Sequence, residues 1–306
     1  MNAAVSTEPC GVLTVNKPAG CTSHDVVGMM RKLYGTRRVG HTGTLDPMAE
    51  GVLVILVGRA AKAAEYLSHD AKRYRATLRL GLTTDTEDTT GKVLTETDTL
   101  PSPEAVTEIC RSFVGKIRQV PPMYSALKVD GRKLVDLARE GKVVERQARE
   151  IEIFALTVTP TDVPSDYVLD VHCSGGTYIR TLCADIGRAL GCGGVMASLL
   201  RTEACGFPLD ACVTPAELGG MTMEERLARL SPVESLFYDL PVVRLPVFYE
   251  KLSRSGCEIY QKKIGSDFPT GQRVRMADAG GRFYALGEVR DYPDGFAIKA
   301  IKMFEI

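Results

Sequence analysis

The apolar run VLVILV at residues 52–57 constrains the fold more than any other feature of this chain. A continuous run of that length, rich in Val and Ile, predicts a strand that is buried on both faces. With 306 residues the chain is long enough for two domains, or for one large domain with an appendage. The run is also far shorter than the roughly 20 apolar residues of a membrane-spanning helix, so no membrane span is expected.

A second strand is indicated at residues 73–80, where apolar and charged residues alternate. Tyr74 and the apolar residues that follow it fall on one face, which packs, while Arg73, Arg75 and Arg79 make the other face cationic. Turn residues and apolar spacing predict the other elements. The predicted strands lie at 11–16, 151–159 and 167–173, and the predicted helices lie after Thr22 or Ser23, at 59–67, at 103–114 and from Thr177. A loop or hairpin is predicted at 85–100, and a strand, an Asp130-Gly131 turn and a short helix are predicted after Met123. Helical patterns continue up to about residue 239.

From residue 240 onward the pattern changes to short strands separated by Gly, Pro and Asp. This change predicts a boundary between a first domain at residues 1–239 and a small all-β domain at residues 240–306. No internal repeat is visible at the period of a solenoid.

Charge is balanced over the chain but unevenly distributed. The 38 Lys and Arg against 38 Asp and Glu argue against binding to nucleic acid through bulk positive charge. Residues 81–110 carry seven acids against Lys92 alone, a net charge of −6, and residues 111–150 carry ten Lys and Arg against five acids, a net charge of +5. A basic surface beside an acidic one can bind and orient a polyanion, although solvated faces would give the same pattern.

Metal sites, a disulfide framework and a secretion signal are not indicated. The nine cysteines are odd in number and include no CxxC pair, and no two of the four histidines are spaced i, i+4. Buried, reduced thiols are the simpler interpretation. The N-terminus lacks a basic stretch followed by an apolar core, so the cytoplasm is the expected compartment.

The loop GHTGTLDP at residues 40–47 contains the strongest candidate for a catalytic group. Pro47 restricts Asp46 to extended conformations, which places its carboxylate on a stiff backbone, as a nucleophile requires. The same pair is also a common helix start, with Asp as the N-cap and Pro as the first helical residue. The residues alone leave both interpretations open.

Three further residues are candidates, and for them too a structural role is the alternative. His41 can hydrogen-bond a substrate or serve only the structure. Tyr74 can pack in the core or, if its face lines a cleft, stack on a base and handle a proton. Arg180 has no carboxylate at the intrahelical positions around it, so it is free to pair with a distant acid, where it would keep Asp46 ionised and oriented. No GxSxG motif indicates a serine hydrolase.

Five segments of the chain form an ordered set. They are KPAGCTSHDVV at 17–27, RRVGHTGTLDPMAEGVLVI at 37–55, KRYR at 72–75, VPPMYSALKVDGRKL at 120–134 and GGTYIRTLCADIG at 175–187. Any one of them is a weak signal, whereas five in register are specific. Together they resemble the TruB family of tRNA pseudouridine synthases. The resemblance is dense over residues 11–205, and the tail agrees with the family's small C-terminal RNA-binding domain of PUA type.

The resemblance implies an α/β (α+β) fold, in which a pseudouridine-synthase catalytic domain surrounds a mixed, mainly antiparallel twisted sheet and a small β-rich PUA-like domain follows. It implies isomerisation of uridine to pseudouridine at position 55 in the T-loop of tRNA, by base flipping, glycosidic cleavage, rotation of the base and rejoining through C5. Isomerisation conserves atoms and redox state, so no metal and no organic cofactor is expected. The expected partner is the tRNA T-stem-loop, and the expected oligomeric state is a monomer.

The resemblance also assigns roles by position. Asp46 matches the catalytic aspartate, Tyr74 the active-site tyrosine and Arg180 the arginine that pairs with the aspartate. His41 matches the histidine that stacks where the target base leaves the RNA loop, and Lys17 belongs to the N-terminal motif that supports the pocket. Further positions near the pocket, on the phosphate track or on the RNA-clamping arm at about 116–150 are Tyr178, Leu200, Arg73, Lys128, Arg132 and Lys133.

Alternatives to this assignment stay open. Asp46 can attack C1′ of the sugar or C6 of the base, or assist formation of a glycal. The chain can act on another RNA, including as a guide-directed enzyme, although it is short and lacks a Lys-rich tail. It can also bind and fold tRNA without catalysis, in which case the Asp46 carboxylate would be dispensable. A glycosidase has little support, since no pattern places a second acid near Asp46. One departure from the family is Val135, near which the family often has an aromatic residue.

Overall fold

The computed structural model describes residues 8–67, 71–125, 127–129 and 131–304, and of residues 128 and 133 only the backbone. Its strands are β1 (Gly11–Lys17), β2 (Val39–His41), β3 (Glu50–Val57), β4 (Lys72–Leu80), β5 (Leu82–Thr84), β6 (Val93–Glu96), β7 (Gly115–Gln119), β8 (Lys128–Val129), β9 (Arg132–Lys133), β10 (Arg149–Pro160), β11 (Asp166–Cys173), β12 (Gly194–Ala204), β13 (Phe207–Pro208), β14 (Val242–Arg244), β15 (Ile259–Tyr260), β16 (Arg273–Ala277), β17 (Phe283–Tyr292) and β18 (Gly295–Met303).

The helices are α1 (Ser23–Leu33), α2 (Pro103–Ser112), α3 (Leu134–Arg139), α4 (Ile179–Ala189), α5 (Pro215–Gly220), α6 (Met223–Ala228), α7 (Val247–Arg254) and α8 (Gln261–Ile264). Short 3₁₀ helices span Gly58–Tyr66, Leu209–Ala211 and Val233–Phe237. The first of these lies where the sequence predicts a helix at 59–67. Among the described residues, no helix is both long and apolar enough to cross a membrane.

A nine-stranded sheet organises the larger part of the described chain, with the order β1-β3-β12-β4-β11-β10-β7 and with β2 paired to β3 and β13 to β12. Neighbouring strands are antiparallel except for β3 and β12, which are parallel. This arrangement confirms the predicted mixed, mainly antiparallel sheet.

Strand β3 carries the apolar run and is buried from residue 51 to residue 57. Its odd-numbered residues from 53 to 57 pack in one cluster with helix α1, and its even-numbered residues from 52 to 56 pack in another cluster with residues of β17. The prediction of a strand buried on both faces is therefore confirmed. Thr22 caps α1 with a capping box, in which Asp25 is the reciprocal partner.

Strand β12 lies inside the sheet, between β3 and β4, in a segment where the sequence predicts helix. Met, Ala and Leu in GVMASLLRTEA favour helices in isolation, but β12 pairs with β4 on one side and β3 on the other. These tertiary contacts override the local preference. The prediction of helical patterns up to about residue 239 is wrong for this segment, although α5 and α6 follow it.

A five-stranded sheet with the order β14-β16-β17-β18-β15 forms the C-terminal region. The predicted β-rich character is confirmed, but the region is not all-β, because α7 and α8 lie between its strands. An apolar cluster containing Val54, Phe237, Phe283 and Phe304 packs this region against the main sheet.

Two shorter hairpins complete the structure. Of the predicted loop or hairpin at 85–100, residues 93–96 form β6, which pairs antiparallel with β5 just before the predicted range. The segment after Met123 contains the pair β8 and β9 followed by α3. Of the predicted Asp130-Gly131 turn, Asp130 lies outside the described residues, as do residues 1–7, on which most of the argument about a secretion signal rests.

Candidate active site

Asp46 lies in the loop between β2 and β3, which helix α1 holds in one shape. Ser23 Oγ accepts a hydrogen bond from the Leu45 N–H at 2.9 Å and donates one to the Leu45 carbonyl at 3.1 Å. The Asp46 carbonyl accepts from the Ala49 N–H at 3.1 Å, so residues 46–49 form a turn. The Asp-Pro pair is therefore not a helix start in this chain, and the carboxylate sits on a constrained loop.

Lys17 supports the same loop from the end of β1. The side chain is 0% exposed, and its Nζ donates to the carbonyls of Pro18 at 2.8 Å, Cys21 at 2.7 Å and Pro47 at 3.4 Å. Burial lowers the pKa of Lys17. These contacts join the N-terminal turn to the Asp46 loop.

Arg180, in the first turn of α4, forms a bidentate ion pair with Asp46. Arg180 Nε lies 2.9 Å from Asp46 Oδ2, and Nη2 donates to Oδ1 at 3.2 Å. The guanidinium also donates to the carbonyls of Tyr124 at 2.7 Å and Thr86 at 3.0 Å, and the side chain is 5% exposed. This is the pairing that the sequence predicts, and its fork geometry sets the direction of the carboxylate.

A second acid, Asp88, faces the same arginine. Asp88 Oδ2 lies 3.8 Å from Arg180 Nη1, and Oδ1 accepts hydrogen bonds from the Thr86 hydroxyl at 2.8 Å and the Thr90 N–H at 2.9 Å. Arg180 therefore contacts two carboxylates. The sequence pattern did not place a second acid here, and the acidic segment at 81–110 supplies it.

The ionisation of Asp46 is a balance between burial and its neighbours. Burial raises the pKa of the Asp46 carboxyl, the Arg180 guanidinium opposes this rise, and Asp88 adds to it. Arg180 is thus the main contact that favours the ionised carboxylate in this site.

Tyr74 and Arg201 come from adjacent strands and contact each other. Tyr74 on β4 is in register with Arg201 on β12. Arg201 is 1% exposed, and its guanidinium donates to the carbonyls of Val52 at 2.7 Å and Gly43 at 3.1 Å. Burial raises the pKa of Tyr74, and Arg201, which hydrogen-bonds its hydroxyl, opposes the rise. The phenol is therefore protonated at neutral pH, the form that donates a hydrogen bond or relays a proton.

These groups line one cavity of about 540 Å³. Asp46, Arg180, Tyr74 and Arg201 contribute its polar wall, and Leu199 contributes apolar surface. A concave site with a few convergent polar groups and a mostly apolar remainder is typical of a pocket for a small organic ring.

Two histidines adjoin the loop that carries Asp46. The ring of His41 lies 5.6 Å from that of His24, edge to face, and His24 lines the cavity. Burial lowers the pKa of His41, and His24 and Arg201 lower it further, so the neutral imidazole is favoured. Within the described part of the chain, the buried His41 Nδ1 has no hydrogen-bond partner.

Tyr178 and Leu200, both predicted near the pocket, are placed differently. Tyr178 lines the cavity, and the buried Gln119 side chain accepts from its N–H at 2.9 Å and donates to its carbonyl at 3.1 Å. Leu199 lines the cavity from β12. Because side chains alternate along a strand, Leu200 lies on the opposite face, one position away from the predicted contact.

The arm borders the cavity, and of its three predicted cations only Arg132 has a described side chain. Leu127 and Val135, the position of the family departure, line the cavity. Arg132 is half exposed and forms an ion pair with Glu140. The side chains of Lys128 and Lys133 lie outside the described residues.

The arginines predicted on the cationic face of β4 are all paired across strands. Arg73 Nε lies 3.2 Å from Glu203 Oε2, and Arg73 is half exposed. Arg75 pairs with Asp170 and Arg79 with Asp166. An RNA phosphate would therefore compete with an acid for each of them.

Sequence reasoning missed Arg201, Asp88 and Gln119. The sequence predicts helix at β12 and so does not single out Arg201, whereas a strand there places residues 199 and 201 on one face. For Asp88 the only signal was the acidity of its segment, and for Gln119 there was none. Among the described residues, no group of three or more His, Cys, Asp or Glu side chains is placed to hold a metal ion.

Two family descriptions match the chain. Residues 31–179 match "TruB family pseudouridylate synthase (N terminal domain)", and residues 180–238 match "tRNA pseudouridylate synthase B C-terminal domain". The second match ends before the C-terminal five-stranded sheet begins.

Curated relatives agree with these matches, and a solved structure shares the fold. A protein named tRNA pseudouridine synthase B from Alkaliphilus oremlandii is 42% identical over 266 residues, 86% of this chain and 88% of the relative. A protein of the same name from Clostridium kluyveri is 41% identical over 295 residues, 96% of this chain and 99% of the relative. A structure described as "Crystal Structure of a Cbf5-Nop10-Gar1 Complex" shares the fold, with a TM-score of 0.71 and 24% identity over 96% of this chain and 84% of that chain. From the identity and coverage of these relatives, the chain belongs to the TruB family of pseudouridylate synthases and is an isomerase.

Proposed function

We propose that this isomerase converts uridine to pseudouridine at position 55 in the T-loop of tRNA. The observation that carries the proposal is the bidentate Asp46–Arg180 pair at a cavity with Tyr74 on its wall. Burying a carboxylate and a guanidinium is costly, and RNA binding alone does not require it. The relatives named tRNA pseudouridine synthase B support tRNA as the substrate.

The target base enters the cavity by leaving its stack in the RNA loop. Flipping a base costs a few kcal/mol of unstacking, which contacts elsewhere on the RNA offset. His41, whose neutral form is favoured by burial, is suited to stack in the space that the base vacates. His24 lies beside it on the cavity wall.

Inside the cavity, the ionised Asp46 carboxylate assists cleavage of the bond between N1 of the base and C1′ of the sugar. The base rotates, and C5 forms the new bond to C1′. C5 then loses a proton and N1 gains one, so atoms and redox state are conserved. The protonated Tyr74 hydroxyl, which Arg201 hydrogen-bonds, would relay the proton from C5, and its ring would pack on the base.

Two regions outside the cavity would hold the rest of the tRNA. The arm at 116–150 borders the cavity and contains more cations than acids, which suits contact with the phosphates of an A-form stem. We assign residues 1–239 to the catalytic domain and residues 240–306 to a second, RNA-binding domain, acting as a monomer in the cytoplasm.

Tritium release from a T-stem-loop RNA labelled at C5 of uridine tests this function. The wild-type protein should release tritium, Asp46→Asn should release none while binding the RNA normally, and the exposed control Asp162→Asn should match wild type. Near-normal release by Asp46→Asn would refute the role of the carboxylate. Binding without release by the wild type, on the hairpin and on whole unmodified tRNA, would instead support a non-catalytic RNA-binding module.

A further inference from the structure

The loop at residues 85–92, between β5 and β6, shapes the environment of Arg180. The Thr86 carbonyl accepts a hydrogen bond from Arg180 Nη1 at 3.0 Å, and Asp88 Oδ2 lies 3.8 Å from the same nitrogen. Residue 87 lies between these two contacts in sequence. The position of Arg180 therefore depends on how this loop is held.

Glu87 joins the loop to helix α4. The Thr181 hydroxyl donates to Glu87 Oε2 at 2.5 Å. Thr181 is 3% exposed and directly follows Arg180 in the first turn of α4. The contact therefore ties the loop to the residue adjacent to the arginine that the loop contacts.

The backbone of Glu87 is held in an uncommon conformation. Its φ of 64° lies in the left-handed region, which residues other than glycine adopt rarely and keep only where surrounding contacts hold them. The Glu87 carbonyl accepts from the Met196 N–H on β12 at 3.0 Å, and the Thr89 N–H donates to the Met196 carbonyl at 3.1 Å. These bonds anchor the loop on β12, and the carboxylate of Glu87 anchors it on α4.

We propose that Glu87 is a positioning residue for Arg180, because its carboxylate, held by the Thr181 hydroxyl, fixes the loop that presents Thr86 and Asp88 to the guanidinium. The inference rests on the proposed function for its kinetic readout. A catalytic group displaced by about 1 Å can lose about 100-fold in rate, so a residue that acts only through Arg180 can still affect turnover.

Several charged groups face Glu87 and enter the interpretation of any pH dependence. Burial raises its pKa, the Thr181 hydroxyl opposes this, Arg180 and Arg146 also lower the pKa, and Asp185 on α4 raises it. The experiment therefore reads the ionisation of Asp46 directly and does not infer it from Glu87.

Three substitutions separate the carboxylate from the backbone. Glu87→Gly removes the side chain but tolerates the left-handed conformation, so the loop conformation is not strained. Glu87→Gln keeps an oxygen that accepts from Thr181. Thr181→Val removes the donor from α4 at similar volume. Glu96→Gln, an exposed acid on the same hairpin, is the matched control.

Single-turnover rates and substrate affinity on the labelled T-stem-loop provide the first readout. We expect Glu87→Gly and Thr181→Val each to lower the rate about 10-fold, equivalent to about 1.4 kcal/mol, with little change in RNA affinity. Their double variant should lose no more than either single variant, since both remove one contact. Glu87→Gln and Glu96→Gln should stay close to the wild-type rate. Unchanged rates in Glu87→Gly, with a lower melting temperature only, would overturn the inference.

The second readout needs no turnover. Carbon-13 NMR titration of the aspartate carboxyls, with the Asp46 signal assigned through Asp46→Asn, should show a higher pKa for Asp46 in Glu87→Gly than in wild type, because a displaced Arg180 no longer favours the carboxylate. An unchanged Asp46 titration would overturn the inference. A wild-type protein without activity would refute the proposed function, while this titration would still test the role of Glu87.

Discussion

Arg180→Met removes the guanidinium that faces Asp46 and leaves an unbranched apolar side chain. Two unit charges about 4 Å apart interact by about 4 kcal/mol at an effective dielectric constant of about 20. The closest atoms of the Asp46–Arg180 pair are 2.9 Å apart, and Arg180 is 5% exposed while Asp46 is 32% exposed, so solvent screens the interaction only in part. The interaction free energy that Arg180→Met removes should therefore be large compared with that of a surface ion pair, for which up to about 1 kcal/mol is typical.

The sign of the effect follows from the neighbours of Asp46. Burial raises the pKa of Asp46 and Asp88 raises it further, while Arg180 opposes both. Removing the Arg180 guanidinium therefore raises the pKa of Asp46 further, and the ionised Asp46 carboxylate forms only at higher pH. The acid limb of the pH–rate profile should move upward by about one to three pH units, the usual effect of one close opposite charge. Activity should fall most in mildly acidic buffer and recover in part as the pH rises.

The assay is single-turnover tritium release over a pH series, with wild type, Arg180→Met and Arg180→Lys compared. Lysine keeps the charge but not the planar fork, so its acid limb should lie near that of wild type while its rate stays low. A rate that falls equally at every pH in Arg180→Met would refute the reasoning, since Arg180 would then act on geometry alone. Because breaking a buried pair can cost about 3 to 5 kcal/mol of stability, the melting temperature of each variant must be measured beside its rate.

Two further predictions concern the support of the Asp46 loop and the binding of RNA. Ser23→Ala removes the partner of both the Leu45 N–H and the Leu45 carbonyl, so it should destabilise the fold by about 1 to 3 kcal/mol in denaturant unfolding and lower activity; unfolding at the wild-type midpoint would contradict this. Replacing Lys128, Arg132 and Lys133 together by Gln should weaken tRNA binding and flatten its dependence on salt, because fewer counterions are released. An unchanged salt slope would place the RNA elsewhere.

Local signals in the sequence predict the elements that local physics decides. The run in β3 and the alternation in β4 are confirmed because burial of apolar side chains determines both strands. The capping box of α1 is equally local, since Thr22 and Asp25 contact each other three residues apart. The pairing of Arg180 with Asp46 can be predicted for a different reason. Arg180 has no acid at the usual intrahelical positions, so it is free to pair with a distant one.

The elements that local signals could not predict depend on distant contacts. Strand β12 consists largely of residues that suit a helix, and only its position between β3 and β4 makes it a strand. Arg201 is not predicted as a site residue for the same reason, because residues 199 and 201 share a face on a strand but not on a helix. Asp88 could not be singled out among the acids of 81–110, since its importance comes from a loop that folds back onto α4.

The parallel contact between β3 and β12 explains why predicting a helix at β12 leaves much of the candidate site unpredicted. Gly51 on β3 has a φ of 103°, and a Cβ built on it would lie 2.2 Å from the Arg201 carbonyl oxygen, so the two backbones approach there as only glycine permits. That approach places the Arg201 guanidinium against the carbonyls of Val52 and Gly43, which flank the loop of Asp46. On its other side β12 places Arg201 beside Tyr74. Strand β12 thus sets the spacing between the carboxylate loop and the tyrosine, and the geometry of the candidate site depends on a strand that its own sequence does not reveal.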